Sequence, residues 1–141
     1  MRLGGLVLGN YCNINDFEYP GSLQINEGDQ TTVYIQLVDL NKKLCADLNG
    51  SCYLRYIPDA PASLIITVDS IDDAQVITKV ATQVSASDPS IWCFVLNSNE
   101  TLGSANLHLQ LTEPGPKVSS GVINNAILVN MVGSGNGQSF C

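Results

Sequence analysis

Ala105-Asn-Leu-His-Leu-Gln-Leu111 alternates strictly between apolar and polar residues. Successive side chains of an extended strand point to opposite faces, so the alanine and the three leucines share one face. Asn106, His108 and Gln110 lie on the other face, which we expect to be solvated. A single sheet with this pattern could not cover its apolar side. The segment therefore predicts two sheets packed face to face.

Similar strand patterns recur at spacings of roughly 10 residues along most of the chain. In Thr31–Asp39 the alternation predicts that Tyr34 and Gln36 face solvent, whereas Ile91–Leu96 is apolar on both faces and predicts a central strand. Clusters of turn-forming residues separate the segments, and no window favours a helix of three turns. The predicted strands are Leu23–Asn26, Thr31–Asp39, Cys52–Ile57, Ser63–Val68, Gln75–Val80, Ile91–Leu96, Ala105–Leu111 and Val122–Asn130. The predicted fold is an all-β antiparallel β-sandwich, immunoglobulin-like or jelly-roll-like, of about seven to eight strands.

The two ends of the chain differ from the middle. Residues 1–22 combine glycines, asparagines and aromatic residues without a clear period, and residues 133–141 are rich in Gly and Ser. We therefore expect an extended N-terminal arm (1–22), a sandwich domain (23–132) and a flexible C-terminal tail (133–141). The arm is either a frayed terminus or a segment that docks on a neighbouring subunit. The side chains that would contact this partner are Leu3, Leu6, Val7, Leu8 and Tyr11.

Composition excludes several classes of partner. The chain has 13 acidic and 6 basic residues, a net charge of −7, and only 13% charged residues. Six dispersed basic residues cannot form the positive stripe that a nucleic acid requires, and an anionic membrane surface is disfavoured for the same reason. Asn, Ser, Thr and Gln make up 40 of the 141 residues. Low charge suits protein–protein contacts, because charged residues are depleted from interface cores.

The start of the chain has some features of a signal peptide. Its apolar stretch is short, contains three glycines and ends at Asn10 without a small-x-small cleavage site. No run of residues approaches the roughly 20 apolar residues of a membrane-spanning helix. We therefore expect a protein made in a cytoplasm without a cleaved signal.

The five cysteines leave three alternatives open. All of them are reduced, or Cys45 and Cys52 form a disulfide across a turn-like segment, or Cys141 forms an intermolecular bond. Cys93 lies in an apolar run and is expected to be a small core residue. No C-x-x-C motif occurs and there is one histidine, so no zinc site is predicted.

Residues suited to catalysis are sparse. The only histidine, His108, lies on the polar face of a strand, and no nucleophile motif accompanies it. Asp69, Asp72 and Asp73, with Asp59 nearby, form the densest acidic cluster, but Asp is favoured in turns for its local backbone hydrogen bonds and the spacing matches no calcium loop. The sequence therefore predicts neither an enzyme nor a cofactor or metal site.

Aromatic residues could form a platform for sugars. Trp92 is flanked by apolar residues, which favours core packing over exposure. Tyr34, Tyr53 and Tyr56 could form an exposed patch, although Tyr53 and Tyr56 cannot share a face of a regular strand. A carbohydrate-binding or adhesin-like β-sandwich is therefore the alternative function.

One resemblance adds to this interpretation. Ile25–Asp39, in which a Gly28-Asp29 turn begins a strand that ends in an aspartate, resembles the opening of immunoglobulin-like β-sandwich modules in tailed-phage virion proteins. Later segments are similar to further strands of these modules, and the match covers about residues 23–130. These segments are Arg55–Pro58, Ala62–Ser70, Asp88–Trp92 and Gly121–Asn130.

The resemblance implies a non-enzymatic structural component of a bacteriophage particle, in the tail, baseplate, neck or capsid decoration. Its implied location is the virion, after synthesis in the host bacterial cytoplasm. Its implied partners are copies of itself and other virion structural proteins, in a homo-oligomer within a larger assembly. The strand edges of a sandwich offer unpaired backbone groups for such contacts.

Overall fold

The structure is a computed structural model that describes residues 1–8, 23–43, 53–71, 75–100 and 103–130. These residues form nine β-strands and no helix, which confirms the predicted all-β fold. The strands are β1 (Leu3–Leu8), β2 (Leu23–Asn26), β3 (Thr31–Lys43), β4 (Tyr53–Arg55), β5 (Ser63–Ser70), β6 (Val76–Ser85), β7 (Asp88–Leu96), β8 (Ala105–Glu113) and β9 (Lys117–Asn130).

The strands form two layers that share β6. The first layer has the order β1-β3-β7-β6, and the second has the order β6-β5-β8-β9-β2. Strand β4 pairs with the C-terminal part of β3, from Val38 to Lys43. Neighbouring strands are antiparallel except that β2 runs parallel to β9, so the sheet is mixed. Because β1 also lies against β9, the strands together form one nearly closed sheet.

The core lies between the inner faces of the two layers. In β8 the alternation is as predicted, with the leucines buried and His108 and Gln110 exposed. Each such side chain contributes about 1.5–3 kcal/mol when it is fully removed from water. The main core residues of the other strands are Val7, Val33, Ile35, Leu37, Leu64, Ile66, Val68, Trp92, Phe94, Leu96 and Ile123.

Strand β1 corrects the expectation of a separate arm. It pairs antiparallel with β3, from Leu3 opposite Asp39 to Leu8 opposite Tyr34. Four side chains predicted to contact a neighbouring subunit are instead buried within the chain, where they are at most 3% exposed. They are Leu3, Leu6, Val7 and Leu8. Tyr11 and the tail (133–141) lie outside the described residues. Gly4 and Gly5 interrupt the side-chain pattern, which is why the periodicity did not predict a strand here.

The outer face of the first layer is also buried. Gln36, predicted to face solvent, is 3% exposed, and its Nε2 donates to Ser90 Oγ at 3.4 Å. Tyr34 is half-buried. Leu6, Val38 and Ile91 are buried as well, although they lie outside the main core cluster. The prediction of a solvated face for β3 is therefore wrong at Gln36, because burial reaches both faces of this layer.

The Gly28-Asp29 turn lies where the sequence placed it. Gly28 has a φ of +85°, a conformation that side chains disfavour. The Asp29 N–H donates to the Asn26 carbonyl oxygen at 3.1 Å, and the Asn26 N–H donates to Asp29 Oδ2 at 3.3 Å. The turn thus connects β2 of the second layer to β3 of the first.

Candidate interaction surface

The outer face of the second layer is a regular array of side chains that point away from the core. We define this outer face by the cross-strand rows that run from β6 through β5 and β8 to β9. The rows are Val76-Asp69-Asn106, Thr78-Thr67-His108-Val122, Val80-Ile65-Gln110-Ser120 and Ser63-Thr112-Val118. Only Asp69 and His108 among these residues are ionisable. The rows therefore form a nearly uncharged surface on a chain with a net charge of −7.

Valines occupy positions on this face where polar residues are usual. Val80 is 71% exposed, the highest value for a large apolar side chain in the described ranges, and Val76 is 63% exposed. Val118 and Val122 on β9 are 55% and 48% exposed. Single exposed apolar residues are ordinary. Here exposed valines lie on β6 and β9, and mostly uncharged polar side chains lie on β5 and β8 between them, so the outer face is poor in charge and carries exposed apolar groups at both sides. Exposed apolar surface that is rimmed by polar residues is typical of interaction sites.

His108 and Asp69 form the only charged contact on the outer face. His108 Nε2 lies 3.4 Å from Asp69 Oδ2, and both side chains are more than two-fifths exposed. Together with His108, the side chains of Thr67, Gln110 and Val122 line a shallow cleft of about 340 Å³.

The edge of β6 is open along half of its length. From Val76 to Ala81 this strand pairs with β5, but it pairs with β7 only from Thr82 onward. No other strand of the described residues pairs with the Val76–Ala81 segment. Unpaired backbone groups at such an edge can accept a further strand. We call this segment the β6 edge.

An ion pair bridges the gap between the two layers beside the β6 edge. Lys79 Nζ lies 2.6 Å from Glu100 Oε1, and the two side chains are 18% and 16% exposed. The Asn97 N–H also donates to Glu100 Oε1, at 2.8 Å. Burial raises the pKa of Glu100, but the hydrogen bonds from Lys79 and Asn97 outweigh it and hold this pKa below its ordinary value. Lys79 therefore has its charge paired and does not add a positive charge to the outer face.

Glu113 forms a second polar cluster, at the end of β8. The Tyr56 hydroxyl lies 2.8 and 2.7 Å from its two carboxylate oxygens, and the Asp59 N–H donates to Oε2 at 2.9 Å. Burial and the bond to Glu113 raise the pKa of Tyr56 to about 12. Tyr56 thus stays protonated, and the cluster fastens the connection between β4 and β5 onto β8. We interpret it as a structural brace.

Several predicted site residues are dispersed by the fold. Trp92 is 3% exposed and packs in the core, as its apolar neighbours predicted. Asp59 lies at the Glu113 brace while Asp69 lies beside His108, so these two carboxylates are not brought together. Asp72 and Asp73 lie outside the described residues. Within the described ranges no group of three His, Cys, Asp or Glu side chains could hold a metal ion.

Most cysteines fall outside the described part of the chain. Cys93 is a free thiol, half-buried rather than in the core, and its Sγ lies 3.6 Å from Thr82 Oγ1. Cys45 and Cys52, the candidate disulfide, and Cys141, the candidate intermolecular thiol, lie outside the described residues. Both of these remain predictions.

No protein-family model matches the chain, and no curated protein matches it. In the described ranges no helix could cross a lipid bilayer. The residues and the outer face are therefore the features from which a function can be inferred.

The β6 edge is the feature that sequence reasoning missed. Its signal was present in Val76-Ile-Thr-Lys-Val80, where a strand pattern carries valine and threonine at the positions expected to be polar. That signal predicts a strand, but it does not say which neighbour is absent.

Proposed function

We propose that the chain is a non-enzymatic structural subunit of a bacteriophage particle that acts through protein–protein contacts. The phage modules that the sequence resembles occur in the tail, baseplate, neck and capsid decoration. The single observation that carries the proposal is the outer face, on which valines up to 71% exposed lie in an almost uncharged array. Such a face gains free energy when a partner covers it, at about 25 cal/mol per Å² of apolar surface.

The polar clusters are consistent with a scaffold. Glu113 and Glu100 each accept hydrogen bonds that join separate segments of the chain. The histidine on the outer face contacts an aspartate at 3.4 Å, in an exposed position. These side chains hold strands and connections in place, and the outer face is left as the surface for partners.

The carbohydrate-binding alternative loses its main candidate residue. A sugar platform needs an exposed aromatic face, but Trp92 is buried in the core. The Tyr56 hydroxyl is bonded to Glu113, and its ring packs against the core. The proposal of a structural subunit therefore takes precedence.

Fractionation of phage particles tests the proposal. Particles released from an induced or infected host culture are purified by density-gradient centrifugation, and the chain is quantified by mass spectrometry in the particle band and in the remaining lysate. We expect multiple copies per particle, while an abundant host cytoplasmic enzyme, measured as the control, stays in the lysate. Absence of the chain from particles purified to constant composition would overturn the proposal.

A further inference from the structure

The β6 edge has a sequence that is complementary to itself. Its outward side chains are Val76, Thr78 and Val80, spaced evenly about the threonine. If a second β6 edge approached antiparallel with Thr78 opposite its own copy, Val76 would lie opposite Val80 at both ends. Directly opposed β-branched side chains stabilise an antiparallel pair of strands.

The charge distribution favours a second copy as the occupant. Two chains that each carry −7 repel one another, so a contact between copies needs a region without like charge. The three outward side chains of the β6 edge are uncharged, and Lys79 is paired with Glu100 within its own chain. This edge can therefore meet its own copy without opposing like charges, whereas a highly charged partner would find no complement here.

The burial values show that the edge is accessible. Val76 and Val80 are 63% and 71% exposed, so among the described residues nothing covers their side chains. Isolated edges of this kind are usually protected by charges or proline. The β6 edge carries neither among its outward side chains, and its one charged side chain, Lys79, points inward and is paired with Glu100. The outward side of the edge is therefore open to a further strand.

We propose that two copies of the chain associate through their β6 edges, antiparallel and across a twofold axis at Thr78. The second layers of the two copies then join into one continuous sheet, with their outer faces on the same side. This inference rests on the proposed function, because it names the partner for which the edge is built. A twofold contact of this kind uses the same patch on both subunits.

Paired charge substitutions test both the surface and its register. The double variant Val76→Lys/Val80→Lys places lysine opposite lysine at both ends of the pairing. Because like charges that face each other repel, we expect the dissociation constant to rise about 100-fold or more. The variant Val76→Lys/Val80→Glu places lysine opposite glutamate instead and is expected to dimerise as well as the native chain. Sedimentation equilibrium of each purified chain gives the dissociation constants.

A matched control lies on the same outer face. Val118→Lys/Val122→Lys makes the same chemical change at β9, where the valines are 55% and 48% exposed, and is expected to leave dimerisation unchanged. A native chain that stays monomeric at millimolar concentration would overturn the inference. So would a control variant that dissociates as readily as Val76→Lys/Val80→Lys. A Val76→Lys/Val80→Glu variant that stays monomeric would overturn the twofold register at Thr78.

The dimerisation assay and the particle fractionation test the two proposals independently. Particle fractionation with the native chain reports on the virion role, whatever the dimer assay shows. Dimerisation through β6 without a place in particles would leave this inference standing and overturn the function. A chain that is present in particles but does not associate through β6 would support the proposed function and overturn this inference.

Discussion

The two layers of the sandwich meet along two sides that are built differently. On the side where β1 lies against β9, the backbones approach so closely that a Cβ at Gly121 would overlap the Leu3 carbonyl oxygen. On the side where β6 leaves β7, pairing stops at Thr82 and Cys93, and the Lys79–Glu100 ion pair spans the opening. We call these the closed seam and the open seam. Close backbone approach requires glycine, whereas divergence of the strands leaves an edge that can accept a partner.

Among the variants that still fold, substitution of Gly121 should have the largest effect, because the closed seam has no space for a side chain. In Gly121→Ala the new methyl group meets backbone rather than the flexible end of a side chain, so β1 must move away from β9. Forcing extra atoms into a packed site costs roughly 1–3 kcal/mol, and we expect a loss of about 3 kcal/mol in the free energy of unfolding. Urea denaturation followed by tryptophan fluorescence measures it.

Ser120→Ala is the control for that substitution. Ser120 is the neighbouring residue of β9, on the outer face, and its replacement should change the free energy of unfolding by less than about 0.5 kcal/mol. Equal effects of the two variants would mean that β1 does not lie against β9 as described.

Removal of the lysine at the open seam should have the next largest effect. Lys79→Met keeps the length of the side chain but leaves the Glu100 carboxylate, 16% exposed, without its cation. Breaking a fully buried pair costs about 3–5 kcal/mol and an exposed pair about 0–1, so for this half-buried pair we expect about 2 kcal/mol. Thermal and urea unfolding measure the change.

Arg55→Met is the matched control for Lys79→Met. Arg55 Nη1 lies 3.0 Å from Asp88 Oδ2, but the arginine side chain is 58% exposed. Its removal should cost under about 1 kcal/mol, because solvent screens the pair. If the two variants lose the same free energy of unfolding, the open seam does not depend on its ion pair.

Acidification should weaken the open seam through Glu100. Because hydrogen bonds hold the folded-state pKa of this carboxyl below its ordinary 4.5, its contribution to stability is complete at neutral pH and is lost as the pH falls through the folded-state pKa. Burial raises the pKa of Asp39, but bonds from the Asn41 and Arg2 N–H groups outweigh it and lower this pKa as well, so Asp39 acts in the same direction. We expect the free energy of unfolding to fall below about pH 4.5, and to fall less steeply in Lys79→Met. An equally steep fall in that variant would contradict the assignment.

The two seams also differ in how far the sequence predicts them. Strand periodicity located the strands that form the open seam, because Gln75–Val80 and Ile91–Leu96 carry a regular pattern. It did not predict their divergence, because the pattern does not show where two consecutive strands separate into different layers of the fold. At the closed seam the glycines of Leu3–Leu8 interrupt the pattern, so periodicity predicts no strand at the position of β1.

The sequence also predicts the candidate interaction surface only in part. Alternation predicted correctly that His108 and Gln110 of β8 face solvent. It failed at Gln36 of β3, which has the same kind of pattern, because the sequence does not state which sheet face is covered by another part of the molecule. The exposed valines of the β6 edge are visible in the sequence, but their meaning depends on the absence of a neighbouring strand in the fold.

The smallest expected effect is that of Val80→Lys, which tests whether the β6 edge is open or is covered by another part of the chain. Val80 is 71% exposed, so Val80→Lys should change the free energy of unfolding of the monomer by less than about 0.5 kcal/mol, measured well below the concentration at which copies associate. The same change at Val7, which is 1% exposed beside the closed seam, would bury an unpaired charge and prevent stable folding. A loss above about 1 kcal/mol for Val80→Lys would show that part of the chain already covers this edge, and the difference between the two seams would disappear. A near-zero change, together with weaker association in the double variant, would show that Val80 serves the contact between copies rather than the fold.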